Sequence, residues 1–348
     1  MYHLWDGKDR FPAPGEMKSI RGIEYINVHT AIAGAYQFLL GAAIIRYNGV
    51  MYASWGNSFR NENDNNTILA EKCSSDNGHT WTDYRQISRT DSGFGRSHGV
   101  YFEHKDKLYV FCPKARYDQV NSYPDLKMEA YVLETDDTWT YLGVVLDDAF
   151  WPMCEPIALD NGTLLMAGLL PYSRSAAVAL CEDGDLTKWR AIEIPNPNGF
   201  WYWGETTVLK QKDKLLALSR GGREAQCVLV SESYDNGNTW SGLERSDLES
   251  TDTKMYAGTL ANGMQYLVFN AKSEKYRETL CITVGNGAFE RVYLIRHGFD
   301  TKPRHQRVNE WCYPYAWEDR AAGKLYVIYA KNKEDCELAI IPLESLEK

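Results

Sequence analysis

The sequence predicts an all-β protein: a six-bladed β-propeller with four-stranded antiparallel blades. Three observations carry this. An eight-residue element of the form S-x-D-x-G-x-T-W stands at 74–81 and again at 233–240, with weaker relatives between them. A pattern of apolar strand, tight turn and apolar strand recurs six times in phase with it. Helical periodicity is almost absent from the 348 residues. Repetition of one small sheet about every 50 residues is the signature of radial stacking, in which each sheet buries both faces against its neighbours.

The repeat is read in chain order. The two full elements are Ser74-Ser-Asp76-Asn-Gly78-His-Thr80-Trp81 and Ser233-Tyr-Asp235-Asn-Gly237-Asn-Thr239-Trp240. Asp136-Asp-Thr138-Trp139 and Thr187-Lys-Trp189 are degenerate copies, so the tryptophans fall at spacings of 58, 50 and 51 residues, and Gly285-Asn-Gly-Ala-Phe289 follows 49 later. The strand pairs lie at 42–55, 99–111, 156–166, 206–218, 258–268 and 315–329. Asn48-Gly49, Lys105-Asp106 and Asn161-Gly162 supply hairpin chemistry at their tips. The sixth copy ends at 336–343 without a fourth strand, and the run 22–29 is expected to supply it and close the ring. A seventh blade built from residues 1–40 and the termini is the alternative. No linker divides the chain, so residues 1–348 are expected to form a single domain.

Composition excludes several classes. A 44% hydrophobic content is too high for disorder. No window approaches the ~20 apolar residues of a membrane span, and no membrane partner is expected. The net charge is −9 with Lys and Arg scattered, which disfavours nucleic acid. No metal-ligand spacing is present among the seven histidines, and no cofactor is expected. None of the eight cysteines forms a CxxC pair; most sit in apolar runs and are expected to be buried free thiols, which fits a reducing compartment. The opening Met-Tyr-His-Leu-Trp-Asp lacks the basic and apolar regions of a signal peptide, so a cytoplasmic location is expected, a trimmed secreted form being the alternative.

The S-x-D-x-G-x-T-W element resembles the Asp box of the sialidase superfamily, and with the repeat the resemblance covers nearly the whole chain. The box is structural: Ser and Asp satisfy backbone donors in a tight turn and Trp packs between sheets. The resemblance implies site residues at the entrances of the inner strands. Trp203-Gly-Glu205 followed by Leu215-Leu-Ala-Leu-Ser-Arg220 is similar to the family segment in which Glu polarises a tyrosine nucleophile and Arg grips a substrate carboxylate. Tyr276-Arg277 matches a segment carrying another carboxylate-binding Arg, and Tyr313-Pro-Tyr315 the segment bearing the nucleophile, with Tyr313 preferred over Tyr315. The family's acid/base Asp falls near Asn63 or Asp64; either Glu62 or Asp64 has the chemistry to serve, and Asp64 is the assignment made. One departure stands out. The family's first Arg is missing, its place taken by Phe38-Leu-Leu-Gly-Ala42.

Arg96-Ser-His98-Gly, with the Asn57 and Glu62 region, is similar instead to propeller enzymes acting on rhamnose–glucuronate and ulvan-type linkages, in which a His near the axis is acid or base. Arg304-His305 offers a second such pair. The substrate-binding candidates are thus Arg96, Arg220, Arg277, Arg304, His305 and Trp203, with Trp151, Trp201, Tyr202 and Trp311 as further sugar-stacking aromatics. Two mechanisms follow. In retaining hydrolysis Tyr313 attacks, Glu205 takes its proton and Asp64 or Glu62 protonates the leaving oxygen. In β-elimination on a uronate, Arg220 and Arg277 neutralise the carboxylate while His98 or Tyr313 moves the proton. The expected function is cleavage of a terminal glycosidic linkage at or next to an acidic sugar in an oligosaccharide, of the rhamnose–glucuronate type. A sialidase-like exo-glycosidase and a non-catalytic carbohydrate-binding propeller are the alternatives.

Overall fold

The computed structural model describes residues 1–7, 10–62, 64–117, 123, 125–299, 302–306 and 308–347. Its strands form six antiparallel sheets around a ring. Blade 1 comprises Phe38–Tyr47, Val50–Ser58, Ile68–Ser74 and Arg85–Gln86. Blade 2 comprises Gly95–Arg96 and Val100–His104 on one edge, then Lys107–Ala115, Lys127–Leu133 and Trp139–Leu146. Blade 3 has Trp151–Pro152 and Ile157–Ala158, then Leu164–Leu170, Ser175–Cys181 and Arg190–Glu193. Blade 4 has Thr206–Lys210, Leu215–Ser219, Cys227–Ser233 and Glu244–Glu249. Blade 5 has Tyr256–Thr259, Gln265–Asn270, Thr279–Asn286 and Ala288–His297. Blade 6 has Trp311–Asp319, Lys324–Lys331 and Asp335–Pro342, and its fourth strand is Glu24–His29, paired Glu24↔Ile340 through Asn27↔Glu337.

The seven-blade alternative is corrected: residues 1–40 build no further sheet among the described residues. They lie along existing blades instead. Tyr2 bridges Ser246, Trp5 bridges Phe289, and Lys18–Ser19 adds a parallel edge to blade 5. The middle strands are buried on both faces, which is why Ser175–Cys181 is apolar at nearly every position rather than alternating. Seven of the eight cysteines are buried in this interior and Cys73 is half-buried.

The two Asp boxes have the same internal wiring. Ser233 Oγ donates to Asp235 Oδ1 (2.9 Å) and accepts from Gly237 N (2.9 Å), while Thr239 donates its N–H and hydroxyl to Asp235 at 2.8 and 2.6 Å. Trp240 Nε1 donates to Gly237 O at 3.0 Å. The first box repeats every one of these bonds between Ser74, Asp76, Gly78, Thr80 and Trp81. Gly237 takes φ +82 with Leu165 packed against it, a position closed to a side chain. Against the opposing effect of burial, the Thr239 and Ser233 bonds hold the Asp235 carboxyl below its ordinary value. Its contribution is therefore present above an unfolded pKa near 4 and is lost as pH falls through the lower folded value. Asp235→Ala is expected to cost about 1–3 kcal/mol at neutral pH, read as a lower denaturant midpoint at unchanged m-value, and the penalty shrinks in acid.

Candidate active site

First strands begin, and second strands end, on one face of the ring. Residues at those ends from all six blades line a cavity of about 270 Å³. Blade 4 supplies its best-ordered part. Arg220 N donates to Glu205 O (2.9 Å), which extends the ladder one pair beyond Thr206↔Ser219 and places the two side chains together at the mouth of the sheet. Arg220 Nη1 bonds Glu205 Oε2 at 2.6 Å, and its Nε bonds Asp252 Oδ1 at 2.5 Å.

Tyr313 comes from blade 6. The ladder to Lys324–Lys331 is interrupted between Cys312 and Tyr315, where Tyr313 adopts φ +55 and Pro314 has no N–H to donate. Lys254, buried beneath, donates from Nζ to Pro314 O at 2.8 Å and fastens the irregularity. The result carries the Tyr313 hydroxyl to Glu205 Oε1, 2.7 Å away. Tyr315, two residues on, instead packs against Tyr256 with ring centroids 4.5 Å apart and does not line the cavity.

Burial alone would raise the Glu205 carboxyl. The charge and hydrogen bond of Arg220, the Tyr313 hydroxyl and the Arg277 charge outweigh it and hold Glu205 below the ordinary value. Burial, with the Glu205 and Glu62 charges, lifts the Tyr313 phenol well above its ordinary value. The pair thus stands as neutral phenol and carboxylate, with the proton on the oxygen that would attack.

Arg277 bonds Glu310 Oε2 at 3.1 Å and the Asp252 carbonyl through Nε and Nη2 at 3.2 and 3.1 Å. Lys333 bonds Glu62 at 2.7 Å and lies 3.7 Å from Glu310. Its ammonium stands 5.8 Å from the centre of the Phe38 ring, at the start of the blade 1 stretch Phe38–Ala42. Leu40 lines the wall there, and Leu39 N donates to Lys333 O at 2.7 Å. The cation on this side of the cavity is therefore held by a blade 6 turn that is bonded to blade 1.

His98 lines the cavity between Trp151 and Tyr313, at centroid distances of 5.2 and 5.8 Å. It fits because Gly41, at φ +63, has no side chain: a Cβ there would stand 2.0 Å from His98 Cγ. The imidazole Nε2 and the Trp151 Nε1 are buried without partners among the described residues. Burial, reinforced by the Lys254 charge, pushes His98 down to about 3, and burial with Lys72 pushes His29 down to about 4. Unfolded chain binds protons below about 6.5 that these folded imidazoles refuse, so each makes stability rise with pH across that window. Replacing His98 with Asn is expected to remove close to one proton's slope, about 1.4 kcal/mol per pH unit, between about pH 4 and 5.5, falling to about half that at pH 6.5; chemical denaturation of both proteins at several pH values reads the difference.

His98, Glu205, Tyr313, Arg220, Arg277 and Trp203 are thus brought together. Four assignments are corrected. Asp64 turns away into a separate groove, where its Oδ1 accepts from Asn66 N at 2.7 Å; Glu62 is the carboxyl from that loop that reaches the cavity, and Asn63 lies outside the described residues. Arg96 is sealed inside blade 2 against Glu129 and Asp91. Arg304 pairs with Glu334 and Asp335, and His305 N donates to Glu334 Oε1 at 2.6 Å, both away from the cavity. Among the further aromatics, Trp151 lines the cavity, while Tyr202 and Trp311 are buried elsewhere and Trp201 stands exposed near the rim. Lys333, Glu310, Tyr276 and the supporting Asp252 and Lys254 were not anticipated. Lys333 sits in Lys331-Asn-Lys-Glu-Asp335, which reads as a solvated turn; the positive φ of Asn332 and Lys333 is the only hint of a special geometry.

Comparison with known proteins places this architecture. A family model described as a BNR repeat-like domain matches residues 99–327. Among solved structures, a protein of unknown function from Dyadobacter fermentans superimposes with TM-score 0.71 at 15% identity, over 93% of this chain and 100% of that one. Trypanosoma rangeli sialidase in complex with sialic acid superimposes with TM-score 0.67 at 15% identity, over 95% of this chain and 60% of that one. The same sialidase with 2,3-difluorosialic acid, a covalent intermediate, gives 0.66 at 16% identity, again over 95% and 60%. The chain therefore spans about 60% of the length of the sialidase. At such identities the likeness is one of fold. No curated protein sequence matches the chain.

Proposed function

The chain belongs to the BNR repeat-like domain family, and from that premise we propose that the axial cavity is the active site of a glycoside hydrolase cleaving a terminal linkage at or next to an acidic sugar, of the rhamnose–glucuronate kind. The observation that carries the reading is the 2.7 Å bond from the Tyr313 hydroxyl to Glu205, buried and backed by Arg220. A phenol in that setting is an activated nucleophile, with the base within hydrogen-bond reach and a third group orienting the base.

In the proposed reaction the Tyr313 oxygen forms a bond to the anomeric carbon as its proton passes to Glu205. The glycosidic bond breaks, and the leaving oxygen takes the proton that the Lys333 ammonium and the Glu62 carboxylate share in their 2.7 Å pair at the open side of the cavity. Water then attacks the same carbon from the face the leaving group vacated, giving its proton back to the Lys333–Glu62 pair. Glu205 returns its proton to the released phenolate. Arg220 and Arg277 set a positive field around the phenolic oxygen, which favours charge developing there.

Elimination through His98 is supported less well. A neutral imidazole with a value of about 3 is a weak proton acceptor near neutral pH. Product analysis on terminal sialosides, rhamnosyl-glucuronides and ulvan fragments tests the reading. Hydrolysis releases reducing sugar without new ultraviolet absorbance. Absorbance from an unsaturated uronate would replace the hydrolase with a lyase, and binding without any product would make the cavity a lectin-like site.

A further inference from the structure

The cations inside the cavity are already matched by carboxylates. Arg220 is held by Glu205 and Asp252, Arg277 by Glu310, and Lys333 by Glu62 and Glu310. An acidic group entering the cavity competes with every one of these. One arginine at the rim is in a different position. Arg174 lies in the turn between Leu164–Leu170 and Ser175–Cys181, at φ +56. Its guanidinium stands 4.6 Å from the centre of the Trp203 ring and 5.7 Å from that of Trp201. Among the described residues it has no carboxylate and no hydrogen-bond partner. Trp203 is part of the cavity wall; Trp201 is 52% exposed, and Tyr172, in the same turn as Arg174, is 65% exposed.

We infer that Arg174, clasped by Trp201 and Trp203, binds the anionic group, a carboxylate or sulfate ester, of the sugar lying across the rim on the leaving-group side of the scissile bond. The words "leaving-group side" rest on the hydrolase reading; the anion site itself does not. Three physical points support it. A guanidinium stacked on aromatic faces keeps its N–H edge free and pre-oriented, the geometry that a planar anion takes up in bidentate fashion. The exposed rings beside it offer a platform for a sugar face. The cavity, at about 270 Å³, lies below the ordinary range of ~300–1,000 Å³ for drug-sized ligands, so it has room for one sugar ring and the next lies over the rim. The acidic sugar is then the neighbour of the ring being cleaved off.

Tryptophan fluorescence recorded immediately after mixing reads binding at this rim, and product is analysed separately on longer incubation. Wild type and Arg174→Gln are titrated with rhamnosyl-glucuronate, its methyl ester and a sulfated neutral disaccharide. Wild type is expected to bind the free acid or the sulfate about tenfold or more tightly than the ester, and Arg174→Gln to bind all three alike with an unaltered thermal midpoint. The acid and sulfate arms distinguish the two anions. Equal binding of acid, sulfate and ester by wild type, no binding of any, or discrimination that survives in Arg174→Gln overturns the inference. Discrimination at the rim with no product from any of the three leaves the anion site standing and removes the hydrolase.

Discussion

Under the proposed hydrolase, Tyr313→Phe is expected to lower kcat for glycoside cleavage by about 10³-fold or more, a barrier increase of ~4 kcal/mol, while the protein stays folded. The ring, its packing against His98 and the fastening of Pro314 by Lys254 are all retained. Only the hydroxyl and its bond to Glu205 disappear. Losing one buried bond to a charged group costs about 1.5–3 kcal/mol, a fall of several degrees in Tm for a chain of this size. Activity and stability thus separate by orders of magnitude. Turnover within tenfold of wild type would deny Tyr313 the nucleophile's role. Steady-state kinetics beside a thermal melt decides it. Glu205→Gln, which keeps shape and loses the proton acceptor, is expected to behave the same way.

The second large effect runs the other way. Arg96→Ala is expected to cost ~3–5 kcal/mol of stability and to leave KM of the folded fraction unchanged. The Glu129 carboxylate is fully buried and is satisfied by Arg96 Nε and Nη2 at 3.1 and 3.3 Å, with the Tyr131 and Tyr141 hydroxyls at 3.1 and 3.0 Å. Arg96 also bonds Asp91 at 2.6 Å. Removing the guanidinium leaves the buried Glu129 charge with only Lys114, whose Nζ stands 3.7 Å away, as a facing cation, and breaking such a buried pair costs far more than the pair contributes net. Urea unfolding measures the first part and substrate saturation the second. Arg96→Lys, which keeps the charge, serves if the alanine variant does not fold. A raised KM at wild-type stability would return Arg96 to the substrate.

The contrast between Arg96 and His98 shows where sequence reasoning stops. Both stand at the entrance of an inner strand and two residues apart, so strict alternation would put them on one side. The chain leaves its ladder between Gly95–Arg96 and Val100–His104, and one side chain enters the blade while the other enters the cavity. Tyr313 and Tyr315 part in the same manner, at an irregularity with positive φ. The Asp boxes and hairpins were legible because their chemistry is local: a Ser, an Asp and a Gly within five positions complete the turn. Glu205 and Arg220 were legible because the segments around them resemble a family pattern, and the structure places both where they continue a regular pairing. Lys333, Glu310 and Asp252 were not, since each lies in a polar connection and acquires its role only from residues far off in the chain, as Lys333 does from Glu62.

The seam where the ring joins has a consequence for synthesis. Glu24–His29 pairs with Asp335–Pro342, and the backbone of Leu39 is bonded to that of Lys333. Every residue from 24 to 342 must therefore leave the ribosome before the pocket's two flanking walls can meet. Such long-separation pairing is slow to form, so a nascent chain waits with an open, apolar seam until the hairpin of Lys324–Lys331 and Asp335–Pro342 arrives. Chaperone engagement should be greatest in that interval, and a formed axial cavity should appear abruptly at its end.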